Sequence, residues 1–188
     1  METLDAITKR RSIRKFQNKV VPKEIIEQLI DLSTKAPSGK NRQPWRFLIL
    51  QRNKKEELVN LITRNIQNRK EKGLDVGSCQ TSAKAMNEAP VVILVFNPFS
   101  RNEEDYNHYR LLTDTQSIGA AIQTMLLAAK DLGLGSLWIC DIFYMHYEIC
   151  SWLNRDDELV AAVALGYGCE EPYPRPRKSR REVAEWMG

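Results

Sequence analysis

Two stretches hold the side chains best suited to gripping a ligand: Lys9-Arg10-Arg11-Ser12-Ile13-Arg14-Lys15-Phe16 and Ala36-Pro37-Ser38-Gly39-Lys40-Asn41-Arg42-Gln43-Pro44-Trp45. Guanidinium groups present forked donors that match a phosphate, and Ser12 adds a hydroxyl among them. The second stretch offers the side chains of Ser38 and Asn41 and the open backbone of Gly39, which suit the edge of a heteroaromatic ring. Together they describe a place for a phosphorylated, planar ligand. Each also has a plainer local reading. The cationic run fits a solvated helix end, and residues 37–43 fit a helix-to-strand turn.

Side chains for other chemistry are sparse. His108 and His146 stand alone in polar segments, with no serine and acid placed to make a triad. Cys79, Cys140, Cys150 and Cys169 have neither a CxxC pair nor metal-ligand spacing. Gly133-Leu134-Gly135-Ser136 precedes a strand rather than following one, so it is neither a dinucleotide nor a P-loop motif, and its glycines cap and pack. An enzyme so equipped would rely on a cofactor.

The elements that must position the two stretches follow from periodicity. Leu4, Ile7 and Thr8 mark a short amphipathic helix over 3–9, ending at the cationic run. Pro22 opens a second helix, striped by Ile25, Ile26, Leu29 and Ile30, which stops near Thr34 before Pro37, Ser38 and Gly39. The apolar run 47–50 reads as a buried strand, 54–70 as an amphipathic helix and 71–82 as a loop. Residues 90–96 are the clearest central strand, and 99–110 are irregular. The helix over 113–132 is apolar nearly all round, so protein should surround it, and Gly133 caps it. A strand over 135–140, a turn and helix over 144–153, and a buried strand over 158–167 complete the pattern. From Pro172 the chain reads as an extended proline-rich arm ending in Arg177-Lys178-Ser179-Arg180-Arg181. Such an arm suits a neighbouring subunit. About four strands alternate with helices around one sheet.

The bulk numbers fit this reading. A length of 188 residues, 43% hydrophobic and 28% charged, predicts one globular domain spanning 1–188 with a real core. A net charge of +4 favours an anionic ligand but is too small to argue for nucleic acid. Aromatic residues beside the cations, Phe16, Trp45 and Phe47, sit in apolar contexts rather than as stacking platforms. The polar, acidic start is unlike a signal peptide and the longest apolar run is too short to cross a membrane, so the expected setting is the cytoplasm with reduced thiols.

The order and spacing of four pieces resemble the nitroreductase family of flavin-dependent oxidoreductases. They are Arg10-Arg11-Ser12-Ile13-Arg14-Lys15-Phe16, residues 36–47, the run from Leu126 through Lys130 and Gly133 to Ile139, and Leu165-Gly166-Tyr167 with the proline-basic tail. The resemblance covers nearly the whole chain. It implies an α+β fold with a mixed, mostly antiparallel sheet wrapped by helices, in an intertwined homodimer with two FMN sites at the subunit interface. Carried over by position, Arg10, Arg11 and Ser12 would lie toward the FMN phosphate and ribityl chain, with Arg14 near the pyrimidine edge. Pro37, Ser38, Gly39, Asn41 and Gln43 would reach the same flavin from the other subunit. Trp138, Ile139 and Cys140 would run beside the ring with a backbone N–H near flavin N5. Arg177 and Lys178 would close over the phosphate, and Lys84 would sit near flavin N1 and O2.

The resemblance implies hydride transfer from NADH or NADPH through the flavin to nitroaromatics, quinones or similar small planar acceptors by a ping-pong mechanism, with no catalytic side chain. Two alternatives keep the flavin: another family reaction, reductive dehalogenation or flavin fragmentation, or a redox sensor without turnover. Two departures from the family pattern bear on this. The tail lacks the proline and the apolar or acidic residues that commonly follow the basic pair, and residues 98–112 form only a short segment where larger members carry a pocket-shaping insertion.

Overall fold

The computed structural model describes residues 2–188. Its helices are α1 (Thr3–Lys9), α2 (Lys23–Ser33), α3 (Arg52–Glu71), α4 (Cys79–Glu88), α5 (His108–Asp131), α6 (His146–Leu153) and α7 (Arg180–Val183). Its strands are β1 (Arg46–Gln51), β2 (Val91–Asn97), β3 (Gly135–Ile139) and β4 (Glu158–Gly166), in the order β1-β2-β4-β3.

Alternation along the two central strands builds a three-layer molecule. Val91, Ile93 and Val95 of β2 and Ala161, Val163 and Leu165 of β4 face one way, onto Ile118, Ile122 and Met125 of α5 and Ile26 and Leu29 of α2. Val92, Leu94 and Phe96, with Ala162 and Ala164, face the other way, onto Leu58 and Ile62 of α3, Met86 of α4 and Ile149 of α6. Both faces of β2 are covered, which is why its sequence is apolar throughout rather than alternating. A bulge opposite Val95 and Phe96 shifts the register, so that Leu159 joins the α3 side.

The structure corrects four expectations. The sheet is not mixed: every pairing between its named strands is antiparallel, and parallel contact among the described residues is confined to one bridge between Ser12 and Ser136. Residues 79–82 are not loop but the first turn of α4, where Cys79, Ser82, Ala83 and Met86 supply a buried stripe too weakly hydrophobic to stand out in sequence. The long helix starts earlier than Thr113, because the Asn107 side chain accepts the amide N–H groups of Tyr109 and Arg110 and caps it there. The arm does not stay extended to its end. Ser179 and Glu182 form a reciprocal capping box that starts α7.

Candidate functional site

The cationic segment leaves α1 at Arg10 and runs extended along the end of β3. Backbone groups fix it on both sides: Ile13 N–H donates to Ser136 O at 3.0 Å, Gln17 N–H to Tyr167 O at 2.8 Å, and Cys169 N–H to Lys15 O at 3.1 Å. One carboxylate oxygen of Glu170 accepts the N–H groups of Arg14 and Lys15, at 2.5 and 3.1 Å. Glu88 of α4 accepts from Phe16 N–H at 3.3 Å. The neighbouring glycines are needed for this approach. A Cβ on Gly135 would lie 3.0 Å from Ile13, and one on Gly168 3.2 Å from it.

With the backbone so tied, Arg10 and Arg11 line a cleft of about 770 Å³. Lys9, Lys130, Gly133 and Ser136 share that cleft. Arg11 donates to the carbonyls of Thr8 and Arg10, not to a carboxylate. The Arg10 guanidinium is pushed below its ordinary pKa, first by burial and then by the positive charges of Arg177 and Arg11. Arg177 of the arm is thus close enough for its charge to be felt at Arg10. Cations gathered in a cleft with so little compensation fit an anion, and a phosphate in particular. Glu170 and Glu171 also line the cleft, but Glu170 is engaged by two amides.

The 37–43 loop is held by different means. Lys40, Asn41 and Gln43 all have left-handed backbones, with φ of 53°, 54° and 52°. Gln43 N–H donates to Ser38 Oγ at 3.0 Å, and its side-chain amide reaches Asn41 Oδ1 at 3.3 Å. Gly39 N–H donates to Ser117 Oγ of α5 at 3.2 Å, and a Cβ there would lie only 2.3 Å from the Thr113 methyl. Arg42 turns inward as the anchor. Its Nε donates to Asp114 Oδ1 at 3.1 Å, and its Nη2 to both Glu103 oxygens at 2.9 and 3.0 Å. Arg110 adds a bond to Glu103 at 2.8 Å.

Asp114, 0% exposed, also accepts from Tyr106 Oη at 3.1 Å, and that hydroxyl accepts from Asn97 Nδ2 at 2.7 Å. The Arg42 guanidinium is held above its ordinary pKa, chiefly by its hydrogen bond to Asp114. Burial pushes the Tyr106 phenol up to about 12.

The two stretches do not meet within the chain. The loop rests on Thr113 and Ser117 of α5, while the cationic cleft reaches Lys130 and Gly133 at that helix's other end. From 117 to 130 is 13 residues of α5, or about 20 Å of helix.

The remaining expected site residues scatter along this frame. Trp138 and Ile139 point to opposite faces of β3, into the α5 and α3 sides of the core. The buried Trp138 Nε1 has no partner among the described residues. Cys140 lies just beyond the strand with part of its surface exposed, its thiol pKa raised by partial desolvation and then by the charge of Asp141. Lys84 lies in mid-α4 on the exposed side, one turn before Glu88, so it shares the face that meets Phe16. Pro37 and Ser38 lead into the loop, and Lys178 is exposed on the arm. Sequence reasoning overlooked Lys130, Ser136 and Glu170. A usable signal existed for Lys130: it is the lone charge between Asp114 and Asp131 in an otherwise uncharged helix run.

Residues 7–167 match the family described as the nitroreductase family. The chain belongs to it. As a member of the nitroreductase family it is a flavin oxidoreductase. An iodotyrosine deiodinase of Thermotoga neapolitana is 28% identical over 191 residues, covering 95% of this chain and 94% of that protein. A Bacillus subtilis protein named for NAD(P)H nitroreduction is 25% identical over 181 residues, covering 95% and 90%. A Desulfovibrio desulfuricans family member solved in complex with FMN superposes with a TM-score of 0.79 at 26% identity, covering 100% of this chain and 98% of that one.

Proposed function

We propose that the chain is an FMN-dependent oxidoreductase that works as a homodimer, takes electrons from NADH or NADPH, and reduces small planar acceptors such as nitroaromatics or quinones. The observation that carries this is the gathering of Arg10, Arg11 and Lys130 in one cleft, where Arg10 feels the charge of Arg177 and pairs with no carboxylate among the described residues. That donor set fits a phosphate, and the backbone-pinned strand beside it gives a flat ligand a wall.

In this reading Arg10, Arg11 and Ser12, with Arg177 and Lys178, hold the phosphate and ribityl end. Arg14 and Lys84 flank the pyrimidine edge, where a cation favours added negative charge. Trp138, Ile139 and Cys140 border the ring and offer a backbone N–H. Bound FMN supplies two-electron hydride chemistry between a nicotinamide and the acceptor. The chain's own work is to bind, orient and exclude water.

Dimerisation is supported by the length of α5. The partner subunit's Pro37, Ser38, Gly39, Asn41 and Gln43 would complete each pocket, since this chain's own loop lies some 20 Å of helix away from its cationic cleft. Reductive dehalogenation is the second reading, supported by the deiodinase likeness over almost the full length of both chains. Both use the same residues to hold the flavin.

The test is anaerobic. Protein loaded with FMN should bleach with NADH or NADPH, and regain colour with a nitroaromatic or quinone faster than with an iodophenol. Protein that stays colourless when titrated with FMN would sink the flavin reading. Bound FMN that neither nicotinamide bleaches would make the protein a sensor instead. Faster re-oxidation by the iodophenol would favour dehalogenation.

A further inference from the structure

A second cavity, of about 290 Å³, lies against the 37–43 loop at the start of α5, walled by Lys40, Arg42, Asn107, Tyr109, Arg110 and Thr113 beside Gly39. Three of these are cations and none is a carboxylate. Glu103 and Asp114 stand behind the arginines and are engaged by them: Arg42 binds both and Arg110 binds Glu103. Three cations against two carboxylates leave Lys40 as the surplus charge, with no ion pair to it among the described residues. The α5 amides are not the attraction, because the Asn107 side chain already accepts from Tyr109 and Arg110. Tyr109 is 79% exposed and offers a ring face beside the cations. The volume falls at the low end for small-molecule sites, suited to one substituted ring rather than a dinucleotide.

We propose that this cavity is a subsite for the anionic substituent of an aromatic acceptor, with Lys40 meeting the anion and Tyr109 lying against the ring. The preferred acceptors are then ring carboxylates, nitrobenzoates rather than neutral nitrobenzenes. The proposal rests on the reading in which the 37–43 loop borders the partner's flavin, since only then does the cavity adjoin the reacting ring. Two features make the loop a suitable carrier. Lys40 stands in a left-handed backbone two residues before the half-buried anchor Arg42, so the backbone from which its side chain leaves is held in place. Arg42 is occupied by Glu103 and Asp114, so it shapes the wall without competing for the anion.

The test measures equilibrium binding of benzoate and of benzyl alcohol to the FMN-loaded protein, by perturbation of the flavin absorbance and by ligand-observed NMR. Lys40→Gln serves as the variant, because it replaces one left-handed non-glycine residue by another. Benzoate should bind the native protein more tightly than the alcohol and lose roughly three- to five-fold in Lys40→Gln, the usual scale of an exposed charge contact. It should also weaken in high salt, and the alcohol should respond to neither change. Equal benzoate affinity in both proteins would overturn the proposal. So would a Lys40→Gln variant whose KM rises for NADPH alone, which would give the lysine to the nucleotide 2′-phosphate. NMR-detected benzoate binding that depends on Lys40 but leaves the flavin spectrum untouched would keep the anion site and remove its place beside the flavin. In that case the acceptor assignment fails. Absence of bound FMN would instead strike the reading beneath it.

Discussion

The segment 10–16 and the 37–43 loop are both cationic stretches flanking helix ends, yet the fold treats them in opposite ways. In the first, backbone groups carry the positioning, paired to Ser136, Tyr167, Glu170 and Glu88, while the heads of Arg10 and Arg11 are left facing a cleft. In the second, the arginine head carries the positioning: Arg42 is locked to Asp114 and Glu103, while the backbone is held in three costly left-handed conformations. The difference separates two uses of charge. An unpaired cation is available to a ligand and costs the empty protein some stability. A paired, half-buried one shapes the chain and has its donors already engaged. Arginine content alone does not tell these apart; the neighbours of each head do.

The comparison breaks first at the flavin. The Arg10 guanidinium donates to no protein acceptor among the described residues and feels the repulsion of Arg177 and Arg11. Arg10→Ala with Ser12→Ala should therefore cost FMN affinity heavily, roughly 100- to 1,000-fold for a charge-assisted contact and a hydroxyl together. Melting of the flavin-free protein should barely move. Equilibrium dialysis against FMN and circular-dichroism melts check both halves. The same variant sharpens the interface claim. Mixed with Asn41→Ala homodimers and allowed to exchange subunits, it should regain activity, because each heterodimer would rebuild one intact pocket. No recovery after demonstrated exchange would place both stretches on one subunit's flavin.

The loop should fail in the opposite sense. Asp114→Ala strips the buried partner from Arg42 and leaves its guanidinium, with 24% of its side chain exposed, leaning on Glu103 alone. Breaking such a pair from one side costs about 2–4 kcal/mol once Arg42's partial exposure is allowed for, which for a chain of this length lowers Tm by roughly 5–15 °C. Calorimetry on the flavin-free protein reads it directly. A variant melting within about 2 °C of the native protein would show that the 37–43 loop does not depend on this anchor.

Much of this frame was legible in the sequence, and what was missed follows a pattern. Strands β2 and β4 stood out because burial on both faces leaves an uninterrupted apolar run, and α5 because a long apolar stripe packs it on the sheet; protein does not surround it within the chain, since Tyr109, Leu111 and Leu112 are exposed. Helix α4 did not, since Ser82, Ala83 and Ala85 bury small side chains that weigh little on any hydrophobic stripe. The cationic cluster was readable as composition, but its partners were not. Lys130 reaches the cleft through the packing of α5 on β3, and Glu170 lies more than 150 residues from the amides it binds. Arg42 read as one more basic residue of a loop, because its counter-ions Glu103 and Asp114 are 61 and 72 residues away. Asn107 was a different miss, a local capping signal that lay in plain view.

The finest test of the comparison is Gln43. Its φ of 52° precedes Pro44, a position where proline's ring already restricts the preceding residue, so a side chain here is doubly unfavourable. Glycine would adopt the same backbone without that penalty. On stability grounds Gln43→Gly should therefore gain, by about 0.5–1 kcal/mol or roughly 1–4 °C in Tm. If the glutamine contributes to the partner's flavin pocket, FMN should meanwhile dissociate a few-fold faster, a typical loss for one neutral hydrogen bond. Opposite signs for stability and flavin retention would mark strain kept for binding. A stability gain with unchanged flavin release would reduce Gln43 to a turn residue and leave Asn41 and Ser38 as the loop's contacts.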